Sequence, residues 1–278
     1  MTSYLMITGA TGGLGSALSI ECARRSFPLF LTDLRPNGAE FAHFLSEKFG
    51  VEVRYAPCDL TSPTARSEFF NALISEKVRF WGLINVAGTD YEGPFLEKSR
   101  DQIMTVLELN IKSTVDMTHA ILKLRDTEKR FMLVNICSLA AFAPMPYKAT
   151  YAATKRFLLD FSLAIRDEIQ DFGTVTAVCP AGLPTTPETM RAIFAQGFWG
   201  QMTTVSTQSV ARQTIGRALR GQPVFVPGVI NFLLRQVEGI TPTALAIKIV
   251  SNRWRKSQEE RLAWNPVDKA LTKIPGTN

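Results

Sequence analysis

Cysteine is scarce in this chain, and so are breaks. The four thiols, Cys22, Cys58, Cys137 and Cys179, show no metal-ligand spacing, so no metal site is expected. Cys137 and Cys179 end apolar runs that read as buried strands, where a free thiol behaves as a small apolar group. That usage suits a reducing compartment without disulfides. The chain has no Pro/Gly/Ser-rich linker, internal repeat or low-complexity segment, which favours one large α/β domain over two small ones. It has no apolar run of the ~18 residues that would suggest a membrane span. The N-terminus runs straight into a candidate strand without a basic leader, so no signal peptide and a cytoplasmic location are expected.

What the chain does contain is ordinary globular material. It has 278 residues, 46% of them hydrophobic and 20% charged. Net charge is +6 and the pI about 9.2. Part of the excess gathers late, at Lys248, Arg253, Arg255, Lys256 and Arg261. No nucleic-acid motif accompanies that patch, so it reads as a solvated basic face and no nucleic-acid partner is expected.

Short apolar runs alternate with longer amphipathic ones. Strands are expected at Tyr4–Thr8, Leu29–Asp33, Glu52–Cys58, Phe80–Val86, Phe131–Cys137, Val175–Cys179 and Val224–Val226. Helices are expected near 13–25, 38–49, 63–77, 96–125, 149–171 and 206–220. Continuous apolar strands alternating with helices predict α/β architecture: a doubly wound parallel sheet covered on both faces. Ligands of such sheets bind at the carboxyl ends of the strands. Most of the motifs below fall at such ends.

The first strand leads into Thr8-Gly-Ala-Thr-Gly-Gly-Leu-Gly15. Gly9, Gly13 and Gly15 allow a tight turn and close approach of backbone to a pyrophosphate, with Thr11, Gly12 and Leu14 completing the loop. The helix behind it offers its amides to an anion. Asp33 closes the second strand, where a carboxylate can accept hydrogen bonds from both ribose hydroxyls and would repel a 2′-phosphate. This favours NAD, with NADP possible through Arg35. Asp59 ends the third strand as either a turn residue or a partner for the adenine amino group, with Leu60 beside it. Asn85, Ala87 and Gly88 end the fourth, where small residues let backbone lie against a cofactor.

Tyr151 and Lys155 stand one helical turn apart, with Ser138 thirteen residues upstream. A tyrosine normally holds its proton to about pH 10. An ammonium at i+4 faces the same way and favours the phenolate. Such a pair can donate a proton to a carbonyl or take one from an alcohol. Read alone, the spacing is common and marks an exposed ring with a solvated charge. Asn110, read alone, is an exposed polar residue in mid-helix.

Together, Thr8–Gly15, Asp59, Asn85–Gly88, Asn110, Ser138, Tyr151, Lys155 and the Pro180 segment resemble the short-chain dehydrogenase/reductase family, in its single-domain branch. The resemblance covers about residues 4 to 228. It implies a Rossmann-like fold, hydride transfer with NAD(P), and homodimers or homotetramers through the 96–125 and 149–171 helices. It implies that Tyr151 gives or takes the proton, that Lys155 supports it and holds the nicotinamide ribose, and that Ser138 bonds the substrate oxygen. It gives Asn110 a proton-relaying water. It places Pro180, Gly182 and Thr185 around the nicotinamide, although Ala181 interrupts the family's usual Pro-Gly and Thr186 competes with Thr185. The alternatives are a nucleotide-sensing binding protein without catalysis and a 3-oxoacyl reductase.

On the substrate side, residues 187–200, with Met190, Ile193, Phe194, Phe198 and Trp199, are expected to form a lid. Tyr91, Phe95, Phe142, Met145 and Tyr147 are expected to line the opposite wall. An apolar pocket suggests an apolar substrate such as an acyl chain, a steroid or a lipid. Residues 229–278 read as an extension packed on domain 1–228. Its apolar and basic stretches fit a pocket wall, a subunit contact or, less readily, a membrane surface.

Overall fold

The computed structural model describes residues 2–35, 37–185, 189–190, 202–242, 244–245, 247–248, 250–252 and 255. Seven strands form one parallel sheet: β1 (Ser3–Thr8), β2 (Leu29–Thr32), β3 (Val53–Tyr55), β4 (Arg79–Asn85), β5 (Phe131–Ile136), β6 (Gly173–Val178) and β7 (Val224–Phe225). Their order is β3-β2-β1-β4-β5-β6-β7. The chain therefore winds outward from β1 in one direction, then from β4 in the other. The reversal opens a crevice at the carboxyl ends of β1 and β4.

Eight helices connect or follow the strands among the described residues: α1 (Gly13–Arg24), α2 (Gly38–Phe49), α3 (Pro63–Ser75), α4 (Arg100–Leu107), α5 (Ser113–Lys123), α6 (Ala149–Glu168), α7 (Thr207–Leu219) and α8 (Val229–Ile240). The central strands bury both faces, as their continuous apolar sequences require. Leu5, Ile7, Leu29 and Leu31 pack with α1, α2 and α7 on one side. Met6, Phe30, Phe80, Leu83 and Phe131 pack under α3 and α5 on the other.

Two expected elements differ. The strand expected over Glu52–Cys58 has regular pairing only over Val53–Tyr55. Ala56 N and Cys58 N still donate to Leu31 O and Asp33 O, but Pro57 between them has no N–H to offer. The single helix expected over 96–125 is interrupted. α4 and α5 are joined by a wide, π-type turn over Glu108–Lys112, which carries Asn110. Such a bulge admits one extra residue into the helical ladder and commonly marks a functional position.

Among the described residues, all four cysteines are buried and unbridged. No cluster of metal-ligating side chains occurs there, and no helix is long and apolar enough to cross a membrane.

Candidate active site

The glycine loop turns tightly on two glycines, Gly9 and Gly15, whose neighbours on the main chain leave no room for a side chain. Gly9 is left-handed, with φ 61°, and a Cβ there would lie 2.9 Å from the Ala87 backbone. A Cβ on Gly15 would lie 1.9 Å from Gly9 O. The turn delivers α1 with Gly12 at its N-cap, no side-chain cap and no acidic residue in the first turn. The positive end of the helix is thus left for a ligand. Thr11 Oγ1 is buried nearby without a hydrogen-bond partner, and Leu14 is buried beneath the loop. These features fit a dinucleotide pyrophosphate. A cofactor bound here would supply or accept a hydride.

Asp33 braces the same loop. Its Oδ2 accepts from Thr11 N at 3.0 Å and its Oδ1 from Arg35 N at 3.3 Å. Tyr55 donates to the carbonyls of Asp33 and Arg35, fixing the turn after β2. Asp59 Oδ1 accepts from both Thr61 N, at 2.9 Å, and Thr61 Oγ1, at 2.7 Å, as the turn reading anticipated. The Leu60 side chain is buried in the core, so only its backbone is left for an adenine.

The Asn85 side chain is buried in the core, so the end of β4 offers a cofactor its backbone. Asn85 Nδ2 donates to Thr118 Oγ1 at 3.0 Å and Asn135 Oδ1 at 2.9 Å, and Asn135 Nδ2 donates to Ser162 Oγ at 2.9 Å. This buried polar chain ties β4 and β5 to α5 and α6. The loop after β4 is shaped instead by Thr8, whose Oγ1 accepts from Val86 N and Ala87 N at 3.0 and 3.2 Å.

Asn110 is fully buried, unlike the exposed residue that its mid-helix position alone suggests. Its Oδ1 accepts from Thr89 N at 2.9 Å, and its Nδ2 donates to Thr89 O at 3.0 Å and Thr154 Oγ1 at 3.1 Å. Gly88 lies against this clasp; a Cβ there would sit 3.1 Å from Asn110 Oδ1 and 3.4 Å from Lys155 Nζ. Asn110, Gly88 and Lys155 are therefore brought together.

α6 carries Tyr151 and Lys155. Lys155 is almost wholly buried, yet its Nζ donates to Ile136 O at 2.8 Å at the end of β5. The same Nζ lies 5.6 Å from the centre of the Tyr151 ring. Two residues beyond Ile136, Ser138 Oγ accepts from Ala140 N at 3.1 Å and reaches Pro180 O at 3.5 Å. Pro180 O also accepts from Leu139 N at 2.8 Å, joining the ends of β5 and β6. Farther along, Thr185 packs on the glycine loop: a Cβ on Gly13 would meet Thr185 Cβ at 2.7 Å. Gly182 is exposed between them. Thr186 and most of the expected lid, including Ile193, Phe194, Phe198 and Trp199, lie outside the described residues.

The expected apolar wall occupies two segments, one after β4 and one before α6. Tyr91, Phe142, Met145 and Tyr147 are half-buried there, while Phe95 is exposed. The wall is not purely apolar, because Lys148 Nζ lies 2.7 Å from Asp90 Oδ2 and 3.3 Å from Glu92 Oε2. Sequence reading passed over this triad, and also Thr154 and Thr89, because none belongs to a recognisable spacing. A cavity of about 440 Å³ lies away from Tyr151, at the β7 edge among Val205, Arg217, Phe225, Phe232 and Arg235.

The short chain dehydrogenase family profile matches residues 3–193. The chain belongs to that family. It is 30% identical over 175 residues to a very-long-chain 3-oxoacyl-CoA reductase of Laccaria bicolor, covering 60% of this chain and 51% of that protein. It is 26% identical over 275 residues to human 17-beta-hydroxysteroid dehydrogenase 13, covering 95% and 86%. The chain spans about half the length of the very-long-chain 3-oxoacyl-CoA reductases of Laccaria bicolor and Coprinopsis cinerea. Among solved structures, the bulky-bulky ketone specific alcohol dehydrogenase of Comamonas testosteroni aligns with TM-score 0.69 at 21% identity, covering 100% of this chain and 97% of that one. A short-chain dehydrogenase of Sphingobium yanoikuyae in complex with NADPH aligns with TM-score 0.69 at 24% identity, covering 87% and 97%. These two likenesses establish a shared fold.

Proposed function

We propose that this short-chain dehydrogenase interconverts a secondary alcohol and a ketone by NAD-dependent hydride transfer, on an apolar substrate of acyl, steroid or lipid-like character. The observation that carries the reading is the convergence of Asn110, Gly88, Lys155 and Tyr151 at the carboxyl end of β4 and β5, beside a glycine loop fit for pyrophosphate. Tyr151 passes a proton to or from the substrate oxygen. Lys155, fixed by Ile136 O, stabilises the phenolate left behind. Ser138 donates a hydrogen bond where negative charge develops on that oxygen. Asn110 fixes the loop after β4 and the start of the proton path.

The preference for NAD rests on Asp33, a carboxylate at the end of β2 that would repel a 2′-phosphate. Its bonds to Thr11 N and Arg35 N leave it half-buried at the mouth of the crevice. Arg35 is exposed beside it and, among the described residues, is the one there that favours NADP.

The apolar substrate rests on the two wall segments and on the names of the relatives, several of which are very-long-chain 3-oxoacyl-CoA reductases or steroid dehydrogenases. The extension supports it. Arg235 of α8 stacks over Phe142 at 5.0 Å, and Asn231 Nδ2 donates to Thr203 O at 2.9 Å. α8 thus packs as part of the same unit and closes the wall. Exposed Phe157 and Leu163 on α6 support a homo-oligomer built on the α5 and α6 face. A panel of 3-oxoacyl thioesters, ketosteroids and small ketones, read by NADH and NADPH absorbance, tests the reading. Turnover confined to small polar carbonyls would overturn the apolar assignment.

A further inference from the structure

Two cations flank Tyr151. Lys155 Nζ and Lys148 Nζ each lie 5.6 Å from the centre of its ring. Lys148 stands in the segment that leads into α6, and its ammonium is gripped by Asp90 and Glu92 at 2.7 and 3.3 Å. The three side chains are 18%, 20% and 12% exposed, so the triad is largely shielded from water. Burial alone would push the Lys148 ammonium down. The two carboxylates outweigh it and hold the group above the ordinary lysine range, so it stays charged.

The backbone beside it is held as firmly. Tyr147 is left-handed, with φ 68°, a conformation a non-glycine residue keeps only when its surroundings enforce it. Its carbonyl accepts from Gly93 N at 2.9 Å and Lys98 Nζ at 3.1 Å. The segment after β4 therefore clamps the approach to the catalytic helix at two adjacent residues, once through a backbone carbonyl and once through an ion triad.

We propose that Lys148 is a positioning residue for proton transfer at Tyr151, fixed by Asp90 and Glu92 so that a second positive charge stands against the ring and stabilises its phenolate. The proposal rests on the reading of Tyr151 as the proton-transfer group. Among the described residues, the charged groups around the ring are Lys155 and Lys148, then Asp90 and Glu92 behind Lys148, Lys98 at the Tyr147 carbonyl, and Arg235 over Phe142. The two ammoniums lie over the ring. Removing Lys148 takes away one of them, together with the cation that Asp90 and Glu92 share. Removing Asp90 does the reverse, since Glu92 still holds Lys148.

The test needs no substrate. Tyrosinate ultraviolet absorbance is titrated for the full chain and for Tyr151→Phe, and the difference isolates Tyr151 from the other tyrosines. The same difference is taken in Lys148→Met, Lys148→Arg and Asp90→Asn backgrounds, with circular dichroism to confirm folding. Lys148→Met should move the midpoint to higher pH, with roughly tenfold less free proton at the midpoint. Lys148→Arg should leave it in place and Asp90→Asn should lower it. An unmoved midpoint in folded Lys148→Met overturns the proposal. If that variant does not fold, an unmoved midpoint in Asp90→Asn overturns it instead. Tyr151→Phe with normal turnover would overturn the proton-transfer reading, a result distinct from either titration.

Discussion

Thr154 Oγ1 accepts from Asn110 Nδ2 at 3.1 Å and donates to the Tyr151 carbonyl at 2.7 Å. One buried hydroxyl thus joins the wide turn between α4 and α5 to the helix that carries the catalytic tyrosine. Asn110 spends its remaining amide contacts on Thr89, so the loop after β4, the wide turn and α6 are tied together.

Thr154→Val keeps the shape and removes both bonds. It leaves one buried Nδ2 hydrogen of Asn110 without its partner, which costs about 1–3 kcal/mol. Urea unfolding should show that loss. Turnover should fall with it, because the Tyr151 carbonyl and the Asn110 turn lose their link. Unchanged stability and turnover would show that the link carries nothing.

Gly9→Ala combines a left-handed backbone with a contact of 2.9 Å to the Ala87 main chain. The strain alone is worth about 1–3 kcal/mol. Thermal unfolding should drop by several degrees and NADH binding, followed by nicotinamide fluorescence, should weaken strongly. Wild-type binding in this variant would place the dinucleotide elsewhere.

Asp33→Ala separates two roles of one carboxylate. Loss of its bond to Thr11 N loosens the glycine loop for either cofactor. Loss of charge beside the ribose acts on the two cofactors in opposite senses. NADH affinity should therefore fall at least tenfold more than NADPH affinity, about 1.4 kcal/mol of discrimination. Equal losses would refute the preference for NAD.

The thiols give a pH prediction. Burial, with a smaller push from Asp59, raises Cys58 from its ordinary 9.0 to about 11. Cys179 is also raised, first by its hydrogen bond to Cys137 and then by burial. The folded chain keeps these thiols protonated at neutral pH, so iodoacetamide should label them only after denaturation. Above pH 9 the unfolded chain loses the Cys58 proton first. Stability should then fall as pH rises from about 9 to about 11. Native labelling of Cys58 at neutral pH would contradict its burial.

The sheet was legible because its central strands are buried on both faces and read as unbroken apolar runs, such as Tyr4–Thr8 and Phe131–Cys137. The glycine loop and the Tyr151 pair were legible because their chemistry demands fixed spacing. The wide turn at Asn110 was not. It adds one residue to a helix whose flanking residues still suit a 3.6-residue period, and nothing in Glu108-Leu-Asn-Ile-Lys112 announces it. The partners of the Asn85 side chain were hidden for a related reason: a polar residue at a strand end looks the same whether it meets a ligand or a buried Thr118 and Asn135. The Asp90–Lys148–Glu92 triad joins residues 58 and 56 positions apart, so only the fold brings it into view.

The most direct test is Tyr151→Phe, assayed for turnover and for NADH binding on the same preparation. The ring and its packing against Lys155 and Lys148 are kept while the transferable proton is removed. Turnover on whichever carbonyl substrate the panel yields should fall at least a hundredfold, with NADH affinity nearly unchanged. Normal turnover in a variant that still binds NADH would contradict the assignment of proton transfer to Tyr151.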